Sequence, residues 1–329
     1  MNPLPSNYEI LISVLGKNRV KLDEPLGKHT YFKLGGPADL FYTAENVDEL
    51  IGSVQSAINF QVPYFVLGGG SNVIISDKGI RGLVIKNRTG GIKLKGFTGS
   101  ALKGKLNLKD VLVEVDSGVP SNRLIRFTLD QGLAGLEKML GLPGSIGGAV
   151  YNNSHHLDIL IGDYISEVKV IGKDGNIKTY QNKDLKFAYD YSILHDTKEV
   201  VLSASFKLEH GDKAALWEVA TSAVKRRAST QPLGAPSSGC IFRNIPLSDA
   251  MRLGTPDHTT SAGYVIDKAG LKGERVGGAV VSSRHANFIV NDGSATTKDV
   301  MDLVSVIKQK VKAKFGVDLT MEVFVVGEN

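Results

Sequence analysis

The sequence predicts an α+β protein with more than one domain. Segments with strand character and segments with helical periodicity are mixed along 329 residues, without the regular alternation of a doubly wound parallel sheet. At roughly 150 residues a domain, this length predicts about two domains, or three small ones. The chain is 42% hydrophobic and 22% charged, which is close to globular averages and excludes wholesale disorder. Its 37 glycines show no Gly-X-Y period, so they favour tight turns or a backbone that wraps a ligand.

Local signals predict the elements of the first third of the chain. Residues 8–25 and 47–59 have the spacing of amphipathic helices, and Asn46 followed by Glu49 is typical of a capped helix start. Strands are predicted on both sides of Gly35-Gly36 within residues 28–43, on both sides of a glycine loop within 63–76, at 82–87, and in a Gly-rich basic hairpin over 90–109.

The remaining elements follow from the same rules. Helices are predicted at 121–133, with Ser121 as N-cap and Gly132 just past the end, at 213–229, and from the cap Thr297 to the stop at Gly316. Strands are predicted at 111–118, in a hairpin over 166–180 closed by Asp174-Gly175, at 200–209 and at 321–327. Composition changes near 86–110 and 211–230 indicate two domain boundaries.

The charge is mildly positive and uneven. The net charge is +5, and from Lys78 to Lys109 there are nine basic residues and no acidic one. We favour a solvated hairpin here over a field that attracts a nucleotide diphosphate. Nucleic-acid binding is the weakest alternative, because the patch lacks interleaved aromatic residues and the chain has no recognised nucleic-acid-binding motif.

The sequence also predicts a cytoplasmic protein without a membrane partner. No run of apolar residues reaches the length of a membrane helix, and the first residues lack a basic region of the signal-peptide kind. A single cysteine, Cys240, cannot form an internal disulfide.

Two glycine clusters are candidates for binding phosphate. The loop Gly68, Gly69, Gly70, Ser71 and Asn72 directly follows a predicted strand and exposes successive backbone N–H groups, although it has neither the Rossmann nor the Walker pattern. A second cluster, at residues 141–148, includes Pro143, Gly144, Ser145, Gly147 and Gly148. Together the two loops predict contacts with one dinucleotide, whereas a tight turn remains the alternative for either loop alone.

A few titratable residues are candidates for chemistry. Cys240 lies in a turn of small residues, where it is either a buried small hydrophobe or a proton donor, since an ordinary thiol with a pKa of about 8.5 is protonated at neutral pH. The pair His155-His156 does not predict a metal site, because adjacent strand residues point to opposite faces and no ligand spacing accompanies them. His285 is a core histidine or a ligand contact, and Glu322 by itself is more typical of an exposed strand residue.

These segments occur together, and in this order, in a known family. The segments are HTYFKLGGPADL, VPYFVLGGGSNVIISDKGIRGLVI, GLEKMLGLPGSIGGAVYNN, RRASTQPL, SSGCIFRN, AGLKGERVGGAVVSSRHANFIVN and MEVFVVG. The chain resembles the UDP-N-acetylenolpyruvoylglucosamine reductases, flavoenzymes that make UDP-N-acetylmuramate for peptidoglycan. The resemblance covers almost the whole chain from about Thr30, and the short spacing before RRASTQPL resembles the type that lacks an extra substrate-clamping loop.

The resemblance implies a fold and a reaction. The fold would be an FAD-binding fold of the vanillyl-alcohol-oxidase (PCMH) type in two subdomains, 1–85 and 86–212, followed by a substrate-binding domain, 213–329, whose last strand returns Glu322 to the active site. NADPH would reduce FAD, and hydride would then pass to C3 of the enolpyruvyl sugar nucleotide while a protein acid protonates C2. We expect a monomer.

The resemblance also assigns roles by matching position. Cys240 would be the proton donor, at a position where most of the family has Ser, and Glu322 would be the catalytic glutamate. The two glycine loops, Arg227 and His285 would contact FAD. Tyr189 and Asn244 would contact the substrate.

The chain departs from the family pattern at Asp190. Tyr-Arg-x-Ser of the family is Tyr189-Asp190-Tyr191-Ser192 here, so an arginine that would polarise the substrate carboxylate is replaced by an acid. Loss of such a donor typically costs about 10²–10³ in rate. Our hypothesis is that another cation, Lys186 or Arg243, has taken over. A second departure lies in YNNSHHLD, residues 151–158, for which the sequence offers no physical reason.

Because Asp190 replaces the family arginine, an alternative function stays open. The same fold could serve an FAD-binding oxidase, or a degenerate relative with a changed substrate. A non-enzymatic binding module built on the basic patch would instead predict salt-sensitive retention on nucleic acid and no bound flavin.

Overall fold

Helices and strands alternate irregularly along the protein, as the α+β prediction requires. A computed structural model describes residues 4–102 and 105–328, with the side chains of residues 98–109 outside the description. The α-helices are α1 Ser6–Leu15, α2 Val47–Asn59, α3 Ser121–Asp130, α4 Ile146–Asn152, α5 Leu194–Thr197, α6 Lys213–Thr230, α7 Leu247–Leu253, α8 Ala262–Lys268 and α9 Thr297–Phe315. The strands are β1 Val20–Pro25, β2 Pro37–Ala44, β3 Tyr64–Leu67, β4 Val73–Ile75, β5 Ile80–Asn87, β6 Ile92–Leu102, β7 Lys105–Asp116, β8 Leu133–Ala134, β9 His155–His156, β10 Ile159–Leu160, β11 Ile165–Ile171, β12 Ile177–Gln181, β13 Val200–His210, β14 Arg275–Val276, β15 Ala279–Val281, β16 Ile289–Asn291 and β17 Phe324–Val326.

The strands form several sheets. One sheet has the order β1-β2-β5-β3, and a larger one has the order β12-β11-β13-β7-β6, with β8 paired to β13. The small sheets are β14-β15-β16, β10-β9 and the parallel pair β17-β4. None of the described helices is long and apolar enough to cross a membrane.

The chain divides into two compact units, and each is discontinuous in sequence. The first unit consists of the residues up to Leu22, Asp39–Gly69 and Gly82–Arg226. The second consists of Asp23–Ala38, Gly70–Arg81 and the residues from Arg227 onward. The division at 85/86 and 212/213 stays a prediction.

The first unit contains two apolar cores. One core lies between the strands β7, β11 and β13 and the helices α3 and α4. Leu124 of α3 and Val150 of α4 are completely buried in it. The other is built from α1, α2, β2 and β5, and Leu50 and Val54 of α2 are fully buried in it. The hydrophobic spacing of α2 explains why this helix could be predicted.

The second unit has one core that draws on three separated stretches of chain. Buried side chains of α8 and α9 pack with Phe32, Leu34 and Ile74 from the two N-terminal stretches. The last strand, β17, pairs with β4, and Phe324 lies opposite Val73. The fold of this unit therefore depends on residues that are far apart in sequence.

Most of the predicted elements are confirmed. Helix α2 begins after Asn46, whose side-chain oxygen accepts from the Glu49 backbone N–H at 2.9 Å. The basic hairpin is formed by β6 and β7, and its Lys95 lies 3.0 Å from Glu114, so part of the positive charge is neutralised within the sheet. The side chains of Lys103, Lys105 and Lys109 lie outside the described residues.

Two predictions near the N-terminus are wrong. The helix predicted over 8–25 ends at Leu15 because Gly16 has a φ of 93°, and Val20–Pro25 is a strand. The first strand predicted within 28–43 is absent from the described residues 28–36. There the Thr30 hydroxyl donates to the Leu34 carbonyl at 3.0 Å and Phe32 turns into the core of the second unit. The apolar residues of this stretch pack individually instead of pairing as a strand.

Two helix caps were assigned to the wrong residue, and four helices, α4, α5, α7 and α8, were not predicted. Ser121 is the first residue of α3, after Pro120, and makes no cap hydrogen bond. Thr296, not Thr297, caps α9, in a reciprocal capping box with Asp299. Helix α4 begins inside the second glycine cluster, where its two glycines concealed the helical signal.

Candidate active site

The two glycine loops meet in the first unit. Gly68 and Gly69 follow β3, and a Cβ atom added to Gly69 would lie 2.6 Å from the Cα of Gly144. A Cβ at Gly68 would collide with the hydroxyl of Ser145. Only glycine allows the two backbones to approach this closely. The two loops predicted to contact one dinucleotide therefore lie side by side.

Buried polar atoms at the two ends of α4 fit a polar ligand such as FAD. The Ser145 hydroxyl is buried and has no hydrogen-bond partner among the described residues, and the same is true of Oδ1 of Asn152 at the end of α4. Buried polar atoms of this kind are costly unless a ligand or water satisfies them. Not every predicted contact is available, since the Gly147 N–H already donates to the Ser117 carbonyl at 2.7 Å. Pro143 and Gly148 are exposed.

The rest of the first glycine loop belongs to the second unit. Gly70 has a φ of 72° and its carbonyl accepts from the Tyr31 N–H at 2.9 Å. After Ser71, the carbonyl of Asn72 accepts from the Phe324 N–H at 3.1 Å, directly before β4 pairs with β17. These residues fix the loop to the last strand of the chain.

Lys86 of β5 was not predicted as a site residue. Its ammonium group donates to the Gly68 carbonyl at 2.6 Å. Burial, and to a lesser extent the nearby charge of Arg88, lowers the pKa of Lys86 to about 8. In the sequence, Lys86 is marked as a site residue only by its position near the end of a hydrophobic strand.

The predicted acid and the predicted glutamate lie on neighbouring strand segments of the second unit. Cys240 is partly exposed, and its backbone forms an isolated antiparallel β-bridge with that of Phe288. The Glu322 N–H donates to the carbonyl of Ile241, the residue after Cys240, at 2.8 Å. Backbone pairing therefore fixes the register of the two segments that carry Cys240 and Glu322. These residues are 82 positions apart in the sequence.

Arg227 lies close enough to Cys240 for their charges to interact. Burial lowers the pKa of Arg227, while attraction to the Cys240 thiolate acts in the opposite direction. Its Nε atom is buried and has no hydrogen-bond partner among the described residues. Such a guanidinium stabilises negative charge that develops on the thiol.

His285 and Asn244 have different surroundings in the second unit. Burial lowers the pKa of His285, and the charge of Lys272 lowers it further, so the ring is neutral at neutral pH. Its Nδ1 accepts from the Asn287 N–H at 3.3 Å, and the Asn287 side chain in turn bonds both backbone groups of Phe242. Asn244 is exposed.

Asp190 is nearly inaccessible, with 1% of its surface exposed, and its φ is 49°. His155 Nδ1 lies 3.1 Å from Asp190 Oδ1. The neighbouring Tyr189 is 41% exposed, and its ring centroid is 4.6 Å from that of His155. The two departures from the family pattern, at 151–158 and at 190, thus lie next to each other.

Two relatives from Clostridium species match this chain over nearly its full length. A relative from Clostridium botulinum (strain 657 / Type Ba4), called UDP-N-acetylenolpyruvoylglucosamine reductase, is 37% identical over 320 residues, which is 96% of this chain and 95% of the relative. The chain belongs to the UDP-N-acetylenolpyruvoylglucosamine reductase family. A relative of the same name from Clostridium perfringens (strain SM101 / Type A) is 34% identical over the whole of both chains.

Family models and a solved structure agree with this membership. The model of the UDP-N-acetylenolpyruvoylglucosamine reductase C-terminal domain matches residues 231–326, and that of an FAD binding domain matches residues 38–181. The crystal structure of the reductase from Thermus caldophilus has 32% sequence identity and a TM-score of 0.74, covering 93% of this chain and 98% of its own. The predictions of the family, of the α+β FAD-binding fold and of FAD as cofactor are confirmed. The residue roles and the loop-lacking type stay predictions.

Proposed function

We propose that the protein reduces UDP-N-acetylglucosamine enolpyruvate to UDP-N-acetylmuramate, a step of peptidoglycan synthesis, with FAD as cofactor and NADPH as electron donor. One observation supports this most strongly. Relatives that bear the reductase name match 96% of the chain, so the match includes both the FAD-binding segment and the segment with Cys240 and Glu322. The alternative of an oxidase or a degenerate relative is not favoured by this match.

The first unit would hold the cofactor. Gly68, Gly69 and Gly144 leave backbone exposed where side chains would block a diphosphate, and Ser145 offers a buried hydroxyl beside them. Lys86 adds a positive charge to this loop contact. Bound FAD supplies the chemistry of hydride transfer between NADPH and the C3 atom of the enolpyruvyl group.

The second unit would supply the proton. Cys240 donates its thiol proton to C2 of the substrate, and Arg227 stabilises the thiolate that this leaves. The Glu322 N–H is bonded to the carbonyl of the residue after Cys240, and the Glu322 carboxylate would orient the reacting group. Asn244 of this unit is exposed and would bind the sugar nucleotide. His285, neutral and partly buried, would orient the segment 285–288 through Asn287.

An anaerobic absorbance experiment tests the reaction. NADPH is added to the purified flavin-loaded protein, followed by the enolpyruvyl sugar nucleotide. We expect the flavin band to bleach and then to return. Cys240→Ala should bleach normally but lose turnover, whereas Cys240→Ser should retain part of it. Bleaching without a return in the wild-type protein would contradict the proposed substrate.

A monomeric state and a cytoplasmic location are also proposed. Size-exclusion chromatography with light scattering would contradict the first if the mass were a multiple of 35.3 kDa.

A further inference from the structure

Asn287 is a buried polar residue to which the reaction described above assigns no step. Its side-chain oxygen accepts from the Phe242 N–H at 2.9 Å, and its side-chain nitrogen donates to the Phe242 carbonyl at 2.7 Å. These bonds fix the orientation of the amide, because an N–H requires an acceptor and a carbonyl requires a donor. The backbone carbonyl of Asn287 also accepts from the Ile241 N–H at 2.8 Å. One residue therefore bonds both of the residues that follow Cys240.

The chain around Cys240 depends on such support because it is not part of a regular strand. Its strand-like pairings are isolated bridges, one between Cys240 and Phe288 and the other between Phe242 and Met321. In a continuous ladder, several successive pairs would hold the backbone. Here the side chain of Asn287 bonds the two backbone groups of Phe242 that a neighbouring strand would otherwise bond.

This contact is buried, so its loss would move the chain. Asn287 and Phe242 are both buried. Without the amide, the N–H and the carbonyl of Phe242 would lose their partner inside the protein, which is costly unless the backbone shifts to find another. Cys240 lies two residues before Phe242, and the Glu322 N–H is bonded to the carbonyl of Ile241 between them. A shift of Phe242 would therefore displace the thiol.

We propose that Asn287 is a positioning residue for the protonation step: by holding the backbone of Ile241 and Phe242, it keeps the Cys240 thiol where it delivers its proton to C2 of the substrate. This inference rests on the proposed function. His285 supports Asn287 in turn, since its ring nitrogen accepts from the Asn287 N–H at 3.3 Å. Flavin reduction by NADPH takes no proton from Cys240, so Asn287 acts on the second half-reaction.

The test separates the two half-reactions of the flavin-loaded protein in an anaerobic stopped-flow instrument. The first is flavin reduction by NADPH, and the second is flavin reoxidation by the enolpyruvyl sugar nucleotide. Asn287→Ala removes the amide, whereas Asn287→Gln keeps it on a longer side chain. Reoxidation is followed at several substrate concentrations, in H₂O and in D₂O.

Asn291 provides the matched control, Asn291→Ala. It is a second buried asparagine of the same unit. Its side chain donates to the Phe32 carbonyl at 3.1 Å and accepts from the Gly293 N–H at 2.8 Å. Its removal therefore costs a comparable set of buried hydrogen bonds at a different place in the unit. Urea unfolding of both alanine variants shows whether they are destabilised alike.

We expect Asn287→Ala to slow reoxidation at saturating substrate by about 10²-fold, because a misplacement of about 1 Å has an effect of this size. The half-saturating substrate concentration and the rate of flavin reduction should stay within about threefold of wild type. The solvent isotope effect on reoxidation should rise, since proton delivery becomes the slow step. Asn287→Gln should recover part of the rate, and Asn291→Ala should match the wild-type protein in both half-reactions.

Alkylation by iodoacetamide gives a second readout that needs no substrate. Cys240 is the only cysteine of the chain, so the labelling of cysteine reports on this side chain alone. Asn287→Ala should change the alkylation rate by about threefold or more, because a displaced thiol differs in exposure and in its distance from Arg227. Asn291→Ala should leave this rate unchanged.

Other results would overturn the inference. Reoxidation of Asn287→Ala within about threefold of wild type, or an unchanged alkylation rate, would show that the amide does not position the thiol. Equal slowing of both half-reactions, loss of flavin, or the same slowing in Asn291→Ala would show a structural role only. If Asn287→Ala does not fold, a wild-type isotope effect in Asn287→Gln would overturn the inference. If the wild-type protein itself is not reoxidised by the substrate, the proposed function fails, and the alkylation rates decide separately whether Asn287 holds Cys240.

Discussion

Lys86 illustrates how a single residue can tune a cofactor site. Its ammonium group donates to the Gly68 carbonyl, and burial lowers its pKa to about 8. A diphosphate bound at the glycine loop would favour the charged amine. FAD affinity should therefore be highest below about pH 8, and it should weaken as the pH rises, because binding must then take up a proton.

Replacing Lys86 by Met should weaken FAD binding about tenfold or more at neutral pH, since hydrogen bonds to charged groups contribute about 1.5–3 kcal/mol. The variant should also lose the decline in affinity above about pH 8. Fluorescence titration of the flavin-free protein with FAD at several pH values measures both effects. Lys93→Met, a change at an exposed lysine of β6, is the control. An unchanged dissociation constant in Lys86→Met would contradict this role.

At the same scale, the sequence predicted residue identities better than residue partners. The glycine loops could be predicted because three adjacent glycines are a local signal, and the structure brings Gly69 and Gly144 together. The contact of His155 with Asp190 could not be predicted, because the two residues are separated by more than thirty positions and no local pattern links them. The motif indicates a lost arginine, whereas only the tertiary structure shows that His155 lies beside the new acid.

At the scale of elements, α2 shows why some predictions succeeded. Its cap, its first-turn acids and its apolar spacing all lie within the helix itself. The stretch 30–36 failed because its alternating apolar residues are typical of a strand, although Phe32 and Leu34 pack individually into a core built from distant parts of the chain. Local patterns report local structure, and long-range packing overrides them.

The N-terminus of α2 also carries an ion pair that stabilises the protein at neutral pH. The Arg19 guanidinium donates to both carboxylate oxygens of Glu49, at 3.0 and 2.7 Å, and lowers the pKa of Glu49 to about 2, helped by the Glu45 N–H. Because the pKa is lower in the folded state, the stabilisation is complete above about pH 4.5. It is lost as the pH falls towards about 2.

Glu49→Gln should lower the free energy of unfolding at neutral pH by roughly 1 kcal/mol, a small value because the pair is partly exposed and screened by solvent. The difference from wild type should shrink as the pH falls below about 4.5. Urea unfolding at several pH values measures this, with Glu9→Gln in the exposed first turn of α1 as the control. A difference that stays constant down to about pH 2 would exclude the ion pair as its cause.

At the scale of the whole molecule, the chain enters the second unit three times. Two stretches, Asp23–Ala38 and Gly70–Arg81, belong to the same unit as the residues from Arg227 onward. The C-terminal family model begins only at residue 231, so a boundary drawn from the sequence leaves out part of this core. Long-range topology of this kind leaves no local signal in the sequence.

This topology predicts that residues 227–329 do not fold alone. The fragment lacks Phe32, Leu34 and Ile74 of the core, and β17 lacks its partner strand β4. It also lacks Asp77, which accepts from the Thr297 N–H at 2.9 Å near the start of α9.

Thermal unfolding followed by circular dichroism should show a cooperative transition for the full chain and none for the fragment. In the full chain, Ile74→Ala should cost about 2–5 kcal/mol, because the side chain is fully buried. A sharp transition in the fragment would show that the C-terminal segment contains a sufficient core, and that the two N-terminal stretches only add to it.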